Sequence, residues 1–148
     1  MPDGNTETDG GGFVSKDSIP EIGLQQIDAI LEYLPVFAKQ DYQFGRWVEQ
    51  EGQFPYFSFS PEVDKFIGTL HEQNMIIPFD WGSWGVEAER YQSDPAALEV
   101  ADLLTLRKLL TAHVRADRFA EGHLAKVLES GHITAILRRF KQIRDEMT

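Results

Sequence analysis

Apolar residues recur at helical spacing from Ile22 to Leu34, through Leu24, Ile27, Ile30 and Leu31. This predicts a first helix after Pro20 that Pro35 ends or kinks. Between Tyr42 and Phe59 the period changes: Phe44, Trp47 and Val48 precede Gly52, and Phe54, Tyr56, Phe57 and Phe59 follow it. Aromatic and β-forming residues around a glycine predict a short hairpin or an aromatic-rich loop. Ser60-Pro61-Glu62 is a helix start, an N-cap followed by proline at the first helical position. Its buried stripe would be Val63, Phe66, Ile67 and Leu70, and its end falls near Asn74.

Pro78 stops the apolar run Met75-Ile76-Ile77 from continuing as helix, and Phe79-Asp80-Trp81-Gly82 reads as an aromatic loop. Asp94-Pro95 repeats the cap-and-proline signature. From there the pattern predicts helix almost to the end, broken near Phe119 and again at Ser130-Gly131. Gly122 falls inside the helix expected to begin near Phe119, where glycine costs ~1 kcal/mol relative to alanine and signals a close approach by another backbone, as in close helix packing, or by a ligand. The fold class is therefore mainly α, a single helical domain of about five to seven helices with a small hairpin or aromatic loop near residues 42–59. Residues 1–17, glycine-rich and acidic, are expected to form a flexible tail ahead of one globular domain over 18–148.

On a helical wheel over residues 103–118, Leu103, Leu106, Leu109, Leu110 and Val114 share one face with His113 and Asp117. A polar pair four residues apart in an apolar stripe needs partners, because a buried polar group left unsatisfied costs about 1–3 kcal/mol. In the structural reading, Asp117 caps a neighbouring element, such as the next helix, and His113 is a satisfied core histidine. In the catalytic reading, Asp117 fixes the tautomer of His113 for acid–base work, with Arg115 or Arg118 assisting at an anionic transition state. Glu121, His123 and His132 stand close by in sequence and are binding candidates. There is no HExxH and no pair of ExxH motifs of the di-iron kind, since Glu129 and His132 alone have that spacing, so neither a metal nor a cofactor is expected.

Charge divides the chain. Residues 1–104 carry five Lys and Arg against 19 Asp and Glu, whereas residues 105–148 carry nine against five. The simplest account is that the two parts fold against each other; the alternative is a basic patch, including Arg138 and Arg139 on the last helix, that faces a protein partner or an anionic ligand. A pI near 4.8 argues against nucleic acid as that partner. Asp80 and Trp81, with Trp84 nearby, could form an aromatic pocket holding one carboxylate. There is no cysteine, which excludes disulfides and thiolate chemistry, and no signal-like or membrane-spanning run, so the expected location is cytoplasmic.

Two long strings, LRKLLTAHVRADRFAEGHL from Leu106 to Leu124 and ESGHITAILRRF from Glu129 to Phe140, carry a resemblance. With PYFSFSPEV (Pro55 to Val63) and IIPFDW (Ile76 to Trp81), they resemble a family of small bacterial proteins known only as a domain of unknown function, over roughly residues 24–140. The resemblance implies no activity and no site residues. The leading expectation is a binding or regulatory module acting through the C-terminal helices. A small hydrolase or nuclease-like enzyme using His113, Asp117 and Arg118, and an acidic mimic of nucleic acid, are the alternatives.

Overall fold

In the computed structural model, residues 19–148 are described, so the expected tail over 1–17 lies outside the described residues. The chain is mainly helical, in one domain. In order it forms α1 (Leu24–Leu31), α2 (Leu34–Phe37), β1 (Gly45–Val48), β2 (Tyr56–Phe59) and α3 (Pro61–Glu72). A single 3-10 turn (Trp81–Ser83) then leads to α4 (Gly85–Ser93), α5 (Pro95–Glu99), α6 (Leu103–Ala116), α7 (His123–Glu129) and α8 (His132–Glu146). Among the described residues no helix is long and apolar enough to cross a membrane.

The caps read from the sequence are present. Ser60 Oγ accepts from the Val63 N–H, and Asp94 Oδ1 accepts from the Ala96 N–H at 3.1 Å, each with proline in the first turn. Asn74 stops α3 in the left-handed region, at φ 60°, which returns the Met75 N–H to the Leu70 carbonyl at 2.9 Å. The predicted hairpin also forms, antiparallel, with Trp47 opposite Phe57 and Val48 opposite Tyr56.

Three expectations need correction. The first helical pattern is two helices: α1 ends at Leu31, and Pro35 lies in the first turn of α2, where its missing N–H has no intrahelical partner to lose. The long C-terminal helix is interrupted at Val100–Asp102 as well, because Asp102 caps α6 by accepting the Thr105 N–H at 2.8 Å. Gly122 is not inside a helix. It precedes α7 with φ 88°, in the left-handed region, and a Cβ there would lie 2.7 Å from the Trp47 ring. The close approach at Gly122 is made by the indole of Trp47 on β1, not by the backbone or ligand expected there.

α6 and α8 supply the centre of the core, with Leu106, Leu109, Leu110, Ile136, Leu137 and Phe140 essentially without exposure. α1 packs on α8, and α7 closes against both α6 and α8. Two polar residues that the wheel left unremarked fasten α6 to the chain before it. Thr111 Oγ1 accepts from the Ile77 N–H at 2.9 Å, and the buried Arg107 guanidinium donates to the carbonyls of Asn74 and Pro20. Burial without a carboxylate partner holds the Arg107 pKa below its ordinary value.

Gly122→Ala is predicted to combine left-handed strain with a clash against Trp47. A denaturant melt should show a loss of roughly 1–3 kcal/mol; an unchanged midpoint would contradict this account of the loop.

Candidate functional site

Asp117 stands at the end of α6, and its Oδ1 accepts the Leu124 N–H at 2.9 Å in the first turn of α7. This is the capping role of the structural reading, and it turns the carboxylate toward α7. No hydrogen bond joins Asp117 to His113 among the described residues. The partner of His113 is a second histidine: its Nδ1 lies 3.1 Å from His123 Nε2, with the rings 28° from parallel and 5.3 Å apart.

The third histidine closes the group. His132, in the first turn of α8, places its ring 5.3 Å from that of His113 and perpendicular to it. Three of the four histidines of the chain thus meet where α6, α7 and α8 converge. His113 is 2% exposed and His132 8%, and the Nε2 atom of each is buried without a hydrogen-bond partner. The expectation of a satisfied core histidine holds for one nitrogen of His113 and not for the other.

Burial decides their protonation. Desolvation, with His132 and His123 adding to it, pushes His113 down to about 3, and desolvation pushes His132 down to about 4. His123 is lowered as well, by desolvation first; Asp117 opposes this shift and Lys126 assists it. At neutral pH the His113 and His132 rings are uncharged. Of the two tautomer arrangements of the His113–His123 bond, the one in which His113 Nδ1–H donates leaves a bare nitrogen at the buried Nε2. The other leaves an orphaned N–H, the rarer and costlier defect, so the first is favoured.

His113 and His123 border a cleft of about 300 Å³ between the Trp81 turn, α4 and α6. Its walls are the Trp81 indole and the small residues Gly82, Gly85, Ala88, Ala112 and Ala116, with Glu89 and Gln92 of α4 as the other polar groups. His132 borders a neighbouring hollow of about 290 Å³ on the far side of Gln92. The small residues of α4 and α6 let the helices enclose space that larger side chains would fill. Among the described residues no group of three His, Asp or Glu is arranged to hold a metal ion, since His113 Nδ1 is turned to His123 rather than to a shared point.

The remaining candidates have other placements. Glu121 Oε2 accepts the Phe57 N–H at 3.0 Å and so ties the hairpin to the loop before α7. Arg115 is half-buried and Arg118 exposed, and neither borders the cleft. Arg138 and Arg139 line a separate hollow of about 190 Å³ between α5 and α8, where Arg139 donates to the Ala101 carbonyl and to Gln142. Asp80 is exposed and accepts from Ser83 Oγ, outside the ring cluster of Phe79 and Trp84, while Trp81 forms the cleft wall and lies 5.8 Å from the Phe119 ring. Glu89 and Gln92 carry no signal in the sequence, because nothing in the apolar pattern announces α4, of which only Ala88 is buried; Ala112 and Ala116 lie on the predicted α6, where small apolar residues read as ordinary packing.

Residues 22–146 match a family of unknown function, DUF6508. The chain belongs to that family. The match covers the core, the three histidines and the cleft in one continuous stretch, in agreement with the resemblance read from the sequence strings. No curated protein and no solved structure matches the chain significantly.

The histidine shifts fix the sign of a pH effect. Their folded pKa values lie below the unfolded value near 6.5, so the unfolded chain binds more protons as pH falls. Stability is full above about pH 6.5 and declines steadily toward pH 4. Urea melts between pH 7.5 and 4.5 should show that decline, and His113→Phe should flatten it; a midpoint constant across this range would contradict the burial of neutral imidazoles.

Proposed function

We propose that this DUF6508 chain is a binding module that holds a small, largely apolar molecule in the cleft between the Trp81 turn, α4 and α6. The observation that carries this reading is the pairing of His113 with His123 at the edge of a cleft otherwise walled by an indole, alanines and glycines. A concave, mostly apolar site of about 300 Å³ with a few convergent polar groups is the ordinary form of a small-ligand pocket. The reading keeps the binding class expected from the sequence and moves the site from the basic surface to the histidine cleft. It carries over from the sequence the expectation of a bacterial, cytoplasmic protein.

The basic C-terminal segment gives less support to an anionic partner than its composition does. Arg144 pairs with Asp28 of α1 at 2.8 Å, Lys141 with Asp145 at 3.0 Å, and Arg107 and Arg139 are turned to backbone carbonyls. The acidic and basic parts meet in the fold, which also weakens the reading as an acidic mimic of nucleic acid. A hydrolytic His113–Asp117 pair draws no support from a carboxylate that caps α7 and an imidazole held far below neutral pKa. Docking of a protein has its own motive in Phe119 and Trp47, 79% and 48% exposed at the loop before α7, although no polar groups converge there as they do in the cleft.

A fragment screen read by amide chemical shifts should perturb residues around Trp81, Ala88, Ala112 and His123. Ala116→Leu, which fills the cleft from the end of α6, should weaken those fragments at least about tenfold while the fold is retained. Hits that cluster elsewhere, or that bind Ala116→Leu equally well, would overturn the proposal.

A further inference from the structure

The chemistry of the cleft is asymmetric in charge. Its apolar surfaces are the Trp81 indole, against which a flat body could stack, and the small residues Gly82, Gly85, Ala88, Ala112 and Ala116. Its polar groups are the Glu89 carboxylate, the Gln92 amide and the two imidazoles, and no lysine or arginine is among its lining residues. The Glu89 side chain has no hydrogen bond or ion pair within the described residues, so its charge is available at the mouth of the cleft. His113 is neutral and contributes no positive charge.

Two terms therefore favour a cation over an anion. The carboxylate of Glu89 is an ion-pairing partner, in a partly enclosed site where charge is screened less than in open water. The indole of Trp81 offers a π-face to a cation brought over it. A carboxylate or phosphate in the same place would meet Glu89 with no cation lining the cleft to offset it.

Resting on the reading of the cleft as a ligand site, we propose that its ligand class is a small organic amine: a protonated nitrogen beside Glu89, carried on a flat apolar body against Trp81. His113 also lines the cleft, and its Nε2 has no hydrogen-bond partner among the described residues.

The test is calorimetric titration of the full chain with matched triads, an amine, an alcohol and a carboxylate, each on phenyl, indolyl and naphthyl bodies. The expected result is that the amine of at least one triad binds tenfold or more tighter than its carboxylate, and that Glu89→Gln removes most of this preference, weakening the amine far more than the alcohol. Glu89 is exposed, so the variant should fold, and circular dichroism would verify this. Alcohols and amines that bind alike, a carboxylate that binds best, or a preference that survives Glu89→Gln would overturn the amine proposal and leave the cleft reading intact. Failure of every member of all three triads would overturn the cleft reading itself, and the amine proposal with it.

Discussion

Three imidazoles meeting at one junction, two of them buried and the third half-buried, impose the constraint around which this structure is organised. Each comes from a different helix: His113 from the last turn of α6, His123 from the first residue of α7 and His132 from the first residue of α8. Their rings can meet only if both interhelical turns are tight and correctly aimed. Gly122 and Gly131, each at φ 88°, provide these turns immediately before the two histidines. Asp117 then fixes α7 by capping it, and Glu121 brings the hairpin down beside the same loop. Local backbone choices, caps and packing thus agree on one arrangement, which places polar rings at the meeting point of apolar helices.

That arrangement has an energetic cost that ordinary core packing would avoid. Two buried Nε2 atoms lack partners, and each unsatisfied group of this kind costs on the order of 1–3 kcal/mol. Apolar residues of similar size would seal the junction more cheaply. The imidazoles border two hollows, one on each side of Gln92, and the first has an indole wall and a free carboxylate. A cost retained beside a cleft is the pattern in which a binding site departs from the rules of stability.

Much of the fold was legible in the chain because its signals are local. Ser60-Pro61, Asp94-Pro95 and the breaks near Phe119 and Gly131 are capping and turn chemistry, readable without knowledge of the partner element. The wheel placed His113 correctly on the buried face of α6. It could not show that His113 turns to His123, because two residues ten apart meet only through the turn at Gly122, whose left-handed backbone the helical reading concealed. α4 escaped notice for a related reason. A helix that buries only Ala88 has no apolar period, so Glu89 and Gln92 could not be assigned to a cleft before the fold was known.

The central claim is that His113 and His132 are buried and neutral and that the His113 ring is directional. Nitrogen-15 NMR of the imidazole rings, followed from pH 8 to pH 4.5, tests it without mutation or ligand. The account predicts that His113 remains neutral across this range as a single tautomer with its proton on Nδ1, and that His132 gains a proton only toward the acid end of it. Titration of either ring near pH 6.5, or rapid averaging between tautomers at His113, would contradict it.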